Sequence, residues 1–151
     1  GGTHLNDMRL VRPIFRDGKL FCWLASVGHW LDVGGNVPGN FNAKATESFQ
    51  EGFRIPPVKL VRKGEFQGDI VEILSANSRL PQSNWGDLNG QLNALDLGER
   101  RLSALLDDYG TPTVEAALDA FSARAEALMR AEIAALHDSP YYFLFSLAND
   151  R

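Results

Sequence analysis

Sulfur chemistry is scarce in this chain. It holds one cysteine, Cys22, in 151 residues, so no internal disulfide can form, and a reducing, cytoplasmic setting is expected. Cys22 lies within Leu20-Phe21-Cys22-Trp23-Leu24, where a buried structural thiol is the expectation. Long apolar runs are missing too. The longest candidate, Tyr141 to Leu147, is strand-sized, against the ~20 residues that span a bilayer, so no membrane helix is expected. The opening Gly1-Gly2-Thr3-His4 shows no basic stretch followed by an apolar one, and no secretory leader is read there. Positive charge is in the minority. A net charge of −4 offers no attraction to a polyphosphate backbone, which sets nucleic acid aside as a partner. An initiator methionine is also lacking, and the chain opens on its most chemically loaded segment; the natural protein is expected to begin upstream.

What is present is ordinary for a globular domain: 44% of residues are hydrophobic and 23% charged, with enough chain to bury a sizeable core. There is no repeat and no low-complexity stretch. Composition divides the chain into a Gly- and Pro-rich part, 1–66, and an Ala-, Leu-, Glu- and Arg-rich part, 67–137, followed by a tail, 138–151. The predicted fold is α+β: a β-rich first half containing a hairpin, then a long helical hairpin, then a returning strand.

Met8 to Phe15 and Lys19 to Ser26 read as strands, and the Asp17-Gly18 pair between them is a strong hairpin signal. Pro13 places the first strand at an edge or a bulge. Residues 34–42 read as a loop, Ile55 to Val61 as an extended entry and short strand, and Lys63-Gly64 as another turn. In the second half, helices are predicted from Asp69 to Ala76, from Trp85 to Tyr109 and from Thr111 to Leu136. Leu88, Leu92, Leu95, Leu102 and Leu106 mark one face of the second, with Asn84 as its N-cap. Gly110 ends it, and Thr111-Pro112 supplies N-cap and N1 of the third. Ala117, Phe121, Leu128 and Ile133 approximate the apolar stripe of that last helix, which would pack antiparallel to its predecessor. Trp23, Trp30 and Trp85 are read as packing residues. Tyr141 to Leu147 returns to strand character.

The chemistry concentrates around two of the three histidines. His4 and His29 flank the predicted hairpin. With the turn centred between Asp17 and Gly18, paired residue numbers sum to about 35, and His29 falls opposite Asn6, between His4 and Asp7. With strands ~4.8 Å apart and residues rising ~3.3 Å, two imidazoles and a carboxylate can converge there. Strand alternation alone puts Asp7 on the other face from His4, so residues 4–7 must bend. Two His and one carboxylate are a common ligand set for Zn²⁺, Mn²⁺ or Fe²⁺, and three protein ligands leave room for water or substrate. Isolated histidines near turns are more often merely solvated, so spacing alone leaves both readings open. Asp32 could orient a ligating ring from behind. Glu51 and Arg54 either orient substrate near the metal or form a structural ion pair. His137 beside Asp138 is explained by a helix C-terminus. The Gly34-Gly35 and Pro38-Gly39 loop lacks the Lys and Ser/Thr of a phosphate-binding loop and reads as close-packed backbone.

Three segments in combination carry a resemblance: Gly1-Gly2-Thr3-His4-Leu5-Asn6-Asp7, Gly28-His29-Trp30-Leu31-Asp32-Val33-Gly34-Gly35, and Glu51-Gly52-Phe53-Arg54-Ile55-Pro56-Pro57-Val58-Lys59. With Gly86-Asp87-Leu88 and Leu97-Gly98-Glu99-Arg100, they make the chain resemble the hydantoinase B/oxoprolinase family nearly end to end. The resemblance implies that His4, Asp7 and His29 hold a divalent metal, that a further carboxylate ligand lies upstream of this chain, and that complete members are much longer. The family's Asn-Asp-Pro-Tyr lead-in is absent here. The implied activity is hydrolysis of a cyclic amide (a hydantoin, 5-oxoproline or lactam) by a B-type subunit. An A-type partner would use ATP and Mg²⁺ to activate the amide, and the metal would activate water. A hetero-oligomer follows, and the chain alone is expected to be inactive. The alternatives are the acetone-type carboxylase branch and a non-catalytic helical interaction domain.

Overall fold

The computed structural model describes residues 4–136. The predicted strand at Tyr141 to Leu147 and His137 lie outside the described residues. Contacts divide the chain into two units, Gly1–Ser103 and Ala104–Arg151. The architecture is α+β, as the composition predicted. Among the described residues no helix is long and apolar enough to cross a membrane.

In the first unit, β1 (Asp7–Arg16) and β2 (Lys19–His29) form an antiparallel hairpin. Asp17 and Gly18 both take positive φ, 52° and 74°, as a two-residue turn matched to strand twist requires. The register departs from the prediction. Phe15 pairs with Leu20, but Ile14 pairs with Cys22 and Asp7 with His29. Phe21 therefore stands opposite no residue, and this bulge moves every pair beyond it by one place. Beyond the bulge, even-numbered positions of both strands, such as Leu10, Ile14, Leu24 and Ser26, point inward, while on its turn side Leu20 faces out with Phe15. Odd-numbered ones, including Val11, Trp23, Val27 and His29, point out. Cys22 is half-buried, and burial pushes its thiol up.

A 3₁₀ turn (Ser48–Gln50) precedes a second small hairpin, β3 (Val61–Arg62) and β4 (Glu65–Phe66), joined at Lys63-Gly64 as predicted. Helix α1 (Gly68–Ala76) follows, then α2 (Pro81–Tyr109). The core gathers Trp30, Val33, Leu74 and Leu88, with Met8, Leu10 and Leu92 packed against it. Each large apolar side chain buried here contributes about 1.5–3 kcal/mol.

Helix α2 begins at Pro81 rather than Trp85. Proline suits the first helical position because its missing N–H would go unbonded there anyway. Asn84 is consequently not an N-cap. It is buried one turn inside, and its Nδ2 donates to the Asp32 carbonyl at 2.7 Å and to Ser78 Oγ at 2.9 Å. The leucine face holds: Leu88, Leu95 and Leu106 are buried. Two amides, Asn84 and Gln91, share that face. From the other side Arg12 of β1 forms ion pairs with Asp96 and, at 3.0 Å, with Glu99.

In the second unit, α3 (Thr111–Ala135) has Gly110, at φ 78°, in the cap position expected for Thr111. Val114 is buried, whereas Phe121, Leu128 and Ile133 are exposed. Phe121 and Leu128, seven residues apart, do share a face and are nevertheless both exposed, and Ile133, five residues further on, turns about 140° away from it. Trp30 packs in the core as predicted, but Trp23 and Trp85 are exposed; Trp85 keeps an edge contact with Phe66 at 6.0 Å.

Candidate metal centre

His4, Asp7 and His29 meet at the open end of the main hairpin. Each offers a donor atom, and the three lie within 4.8 Å of one another. The bulge makes this possible, because pairing Asp7 directly with His29 puts both side chains on the outward face. His4 reaches them by the predicted bend: the Asp7 N–H donates to the His4 carbonyl at 3.2 Å, closing a turn just before β1. Asp7 Oδ1 lies 2.8 Å from His29 Nδ1, and Asp7 Oδ2 lies 3.8 Å from His4 Nδ1. The two rings meet edge to face, with centroids 5.5 Å apart. Hydrogen bonding to His29 is the main effect holding the Asp7 carboxyl below its usual 3.8; burial opposes it, and the His4 backbone and both nearby rings assist.

The donor set fits a divalent cation. Ligand atoms ~2.1 Å from one ion stand at most ~4.2 Å apart. The spread of 4.8 Å is close to that limit. The His4 and His29 side chains are 61% and 59% exposed, so rotation of either ring can close the difference.

Beneath the ligands lies a network of amides that sequence reasoning missed. Asn6, between His4 and Asp7, is buried. Its carbonyl accepts the N–H of Met8 at 2.8 Å and of Trp30 at 2.9 Å, and its Nδ2 donates to the Trp30 carbonyl at 2.6 Å. Both ligand segments are thus tied through one residue. Asn6 Nδ2 also donates to Asn40 Oδ1 at 3.2 Å. Asn40 holds the left-handed conformation, φ 63°, which asparagine tolerates better than most residues. It accepts from the Val33 N–H at 2.9 Å and donates to the Gly34 and Glu51 carbonyls at 2.6 Å each. Glycine, asparagine and valine in 33–40 signal a loop; nothing in their order signals which carbonyl each amide will meet.

Asp32 does not take the ring-orienting role considered for it; Asp7 contacts His29 instead. Asp32 is 1% exposed. Its oxygens accept from the backbone N–H groups of Gly34, Gly39 and Arg79 and from the Arg79 guanidinium, at 3.0–3.1 Å. Burial raises its carboxyl, and these four donors more than offset that, holding it at about 2. Arg79 continues to the Gly34 and Gly35 carbonyls at 3.1 and 2.7 Å. The loop is close-packed as predicted: a Cβ on Gly35 would stand 2.7 Å from the Gln50 carbonyl. Glu51 and Arg54 are both exposed. Among the described residues no ion pair joins them; Arg54 lies over the Phe49 ring, 5.4 Å from its centre.

The chain is similar to the beta subunit of caprolactamase from Pseudomonas jessenii, with 39% identity over 140 residues, covering 93% of this chain and 24% of the relative. The crystal structure of ATP-dependent caprolactamase from Pseudomonas jessenii matches with a TM-score of 0.84 at 39% identity, over 91% of this chain and 24% of that one. Similarity to 5-oxoprolinase 1 of Arabidopsis thaliana is 34% over 142 residues, covering 86% of this chain and 11% of the relative. The chain thus spans a quarter or less of the length of these relatives. A family model described as hydantoinase B/oxoprolinase matches residues 1–150, in keeping with the three motifs of the sequence, and the chain belongs to the hydantoinase B/oxoprolinase family.

Proposed function

We propose that this chain is the metal-holding part of a hydrolase subunit that opens a cyclic amide. The observation that carries the reading is the convergence of His4, Asp7 and His29 at one hairpin end, in a chain 39% identical to a caprolactamase subunit. His4, Asp7 and His29 would hold the cation. When bound, a divalent cation such as Zn²⁺ or Mn²⁺ supplies Lewis acidity and makes water a better nucleophile near neutral pH. Asp7 has two tasks for its two oxygens. Oδ1 fixes the His29 ring through Nδ1, and Oδ2 faces His4. Nδ1 is the His29 ring nitrogen on the Asp7 side, and a cation shared by the two residues would be met by it. The substrate carbonyl would be activated before attack by a partner subunit that uses ATP and Mg²⁺; the similar caprolactamase is ATP-dependent. The assembly would be a hetero-oligomer. A reducing cytoplasm suits its single thiol.

The reading is tested on the full-length protein with its partner subunit. Cyclic amides should stimulate ATP hydrolysis and yield ring-opened product, whereas ketones with bicarbonate should not. No turnover of any cyclic amide would sink the assignment. His29→Ala should strip bound metal, measured by elemental analysis, and reduce turnover at least a hundredfold; unchanged metal and activity would remove His29 from the site.

A further inference from the structure

Besides the Asp96 and Glu99 ion pairs with Arg12, helix α2 reaches the ligand-bearing strands with one buried amide. Gln91 is 6% exposed. Its Nε2 donates to the Met8 carbonyl at 2.9 Å and to the Ser26 carbonyl at 3.2 Å, one on each strand of the hairpin. Its Oε1 accepts from Trp30 Nε1 at 2.9 Å. Gly28 closes the contact: a Cβ there would stand 2.8 Å from Gln91 Cδ. Met8 follows Asp7, while Gly28 and Trp30 flank His29. Gln91 lies under the sheet, because the even-numbered positions it meets face inward and Asp7 and His29 face out. Three hydrogen bonds pin its amide, so the amide cannot shift cheaply.

We propose that Gln91 is a positioning residue of the metal centre, setting the spacing of Asp7 and His29 from the opposite face of the hairpin. The proposal rests on the metal-holding role given above to those two residues. A core amide that merely satisfied its own hydrogen bonds would affect stability alone. Gln91 instead grips the backbone of both ligand-bearing strands and the Trp30 side chain, so losing it should loosen the ligands without removing any of them.

The test uses the full-length protein, zinc affinity by competition with a chromophoric chelator, and the ¹⁵N resonances of the His29 ring in metal-free protein. Gln91→Met keeps the volume and removes the hydrogen bonds. It should weaken zinc binding about tenfold, the lower end for residues that support metal ligands indirectly, and should shift the Nδ1 resonance that reports the contact with Asp7. Gly28→Ala should do the same by pushing the amide away, and it serves if Gln91→Met fails to fold. The double variant Gly28→Ala/Gln91→Ala, in which the added methyl has room, should bind zinc no more weakly than Gln91→Ala alone. If folded Gln91→Met binds zinc as tightly as wild type while His29→Ala does not bind, the Gln91 proposal is overturned and the metal reading stands. If His29→Ala keeps full affinity, the metal reading falls; the His29 ring resonance then decides alone, and an unmoved signal in Gln91→Met refutes the proposal.

Discussion

Asp32 and Asp7 are the two acidic side chains of the hairpin end, and their surroundings give them opposite work. Asp7 keeps an exposed imidazole on either side; Asp32 is enclosed and fully engaged by the loop around it. The stability consequence is greatest for Asp32. Its folded carboxyl sits at about 2 against an ordinary 3.8, so it contributes stability above pH 3.8 that is lost as pH falls through about 2. The difference corresponds to about 2 kcal/mol. Arg79→Met should lower stability by about 2 kcal/mol, less than the ~3–5 of a fully buried pair, because Arg79 is 42% exposed. It should also flatten the decline of stability between pH 4 and 2, as followed by urea unfolding. An unaltered acid limb would show that the backbone donors suffice. The meeting of His4, Asp7 and His29 was legible in the sequence, since a hairpin of this length brings the three together, although spacing alone left their role open. Asn6, Asn40 and Gln91 were not, because an amide has no preferred partner until the fold brings one to it.

The hairpin shows how far local rules carry an element. Asp17-Gly18 fixed the turn, and alternation along both strands fixed their inner and outer faces. Bulges have no comparable local signature, so the register was off by one place. Turn and loop glycines differ correspondingly in what they tolerate. Gly18 has nothing within 4 Å of an added Cβ, so Gly18→Ala should cost only the left-handed backbone, about 1 kcal/mol. Gly35 combines φ +80° with backbone 2.7 Å away, so Gly35→Ala should cost at least twice as much. Thermal unfolding of the two variants checks the order; equal losses would mean that the loop yields easily. Helix α2 was mistaken at its start for a related reason. Asparagine is a favoured cap, but here a proline four residues from Trp85 had already begun the helix, and Asn84 was drawn into the core.

For the whole molecule, the ligand face of the hairpin matters most. Exposed Val11, Trp23 and Val27 share the outward face with Asp7 and His29, so the donors stand beside apolar surface, not in an enclosed pocket. The 151-residue chain alone, given a cyclic amide, ATP and Zn²⁺, should release no ring-opened product by chromatography; product from this chain alone would contradict the need for further protein. The bulge at Phe21 adds a constraint on length. Side chains alternate sides of a sheet, and the bulge lets β2 carry one extra residue without turning the residues beyond it to the other face. Deleting Phe21 should remove the bulge and leave Phe15 opposite Leu20, Ile14 opposite Cys22 and Asp7 opposite His29, keeping the 2.8 Å contact. The bulge is thus where the hairpin absorbs a single residue, whereas one residue removed from the regular pairs between Cys22 and His29 should turn His29 to the helix side while Asp7 stays outside.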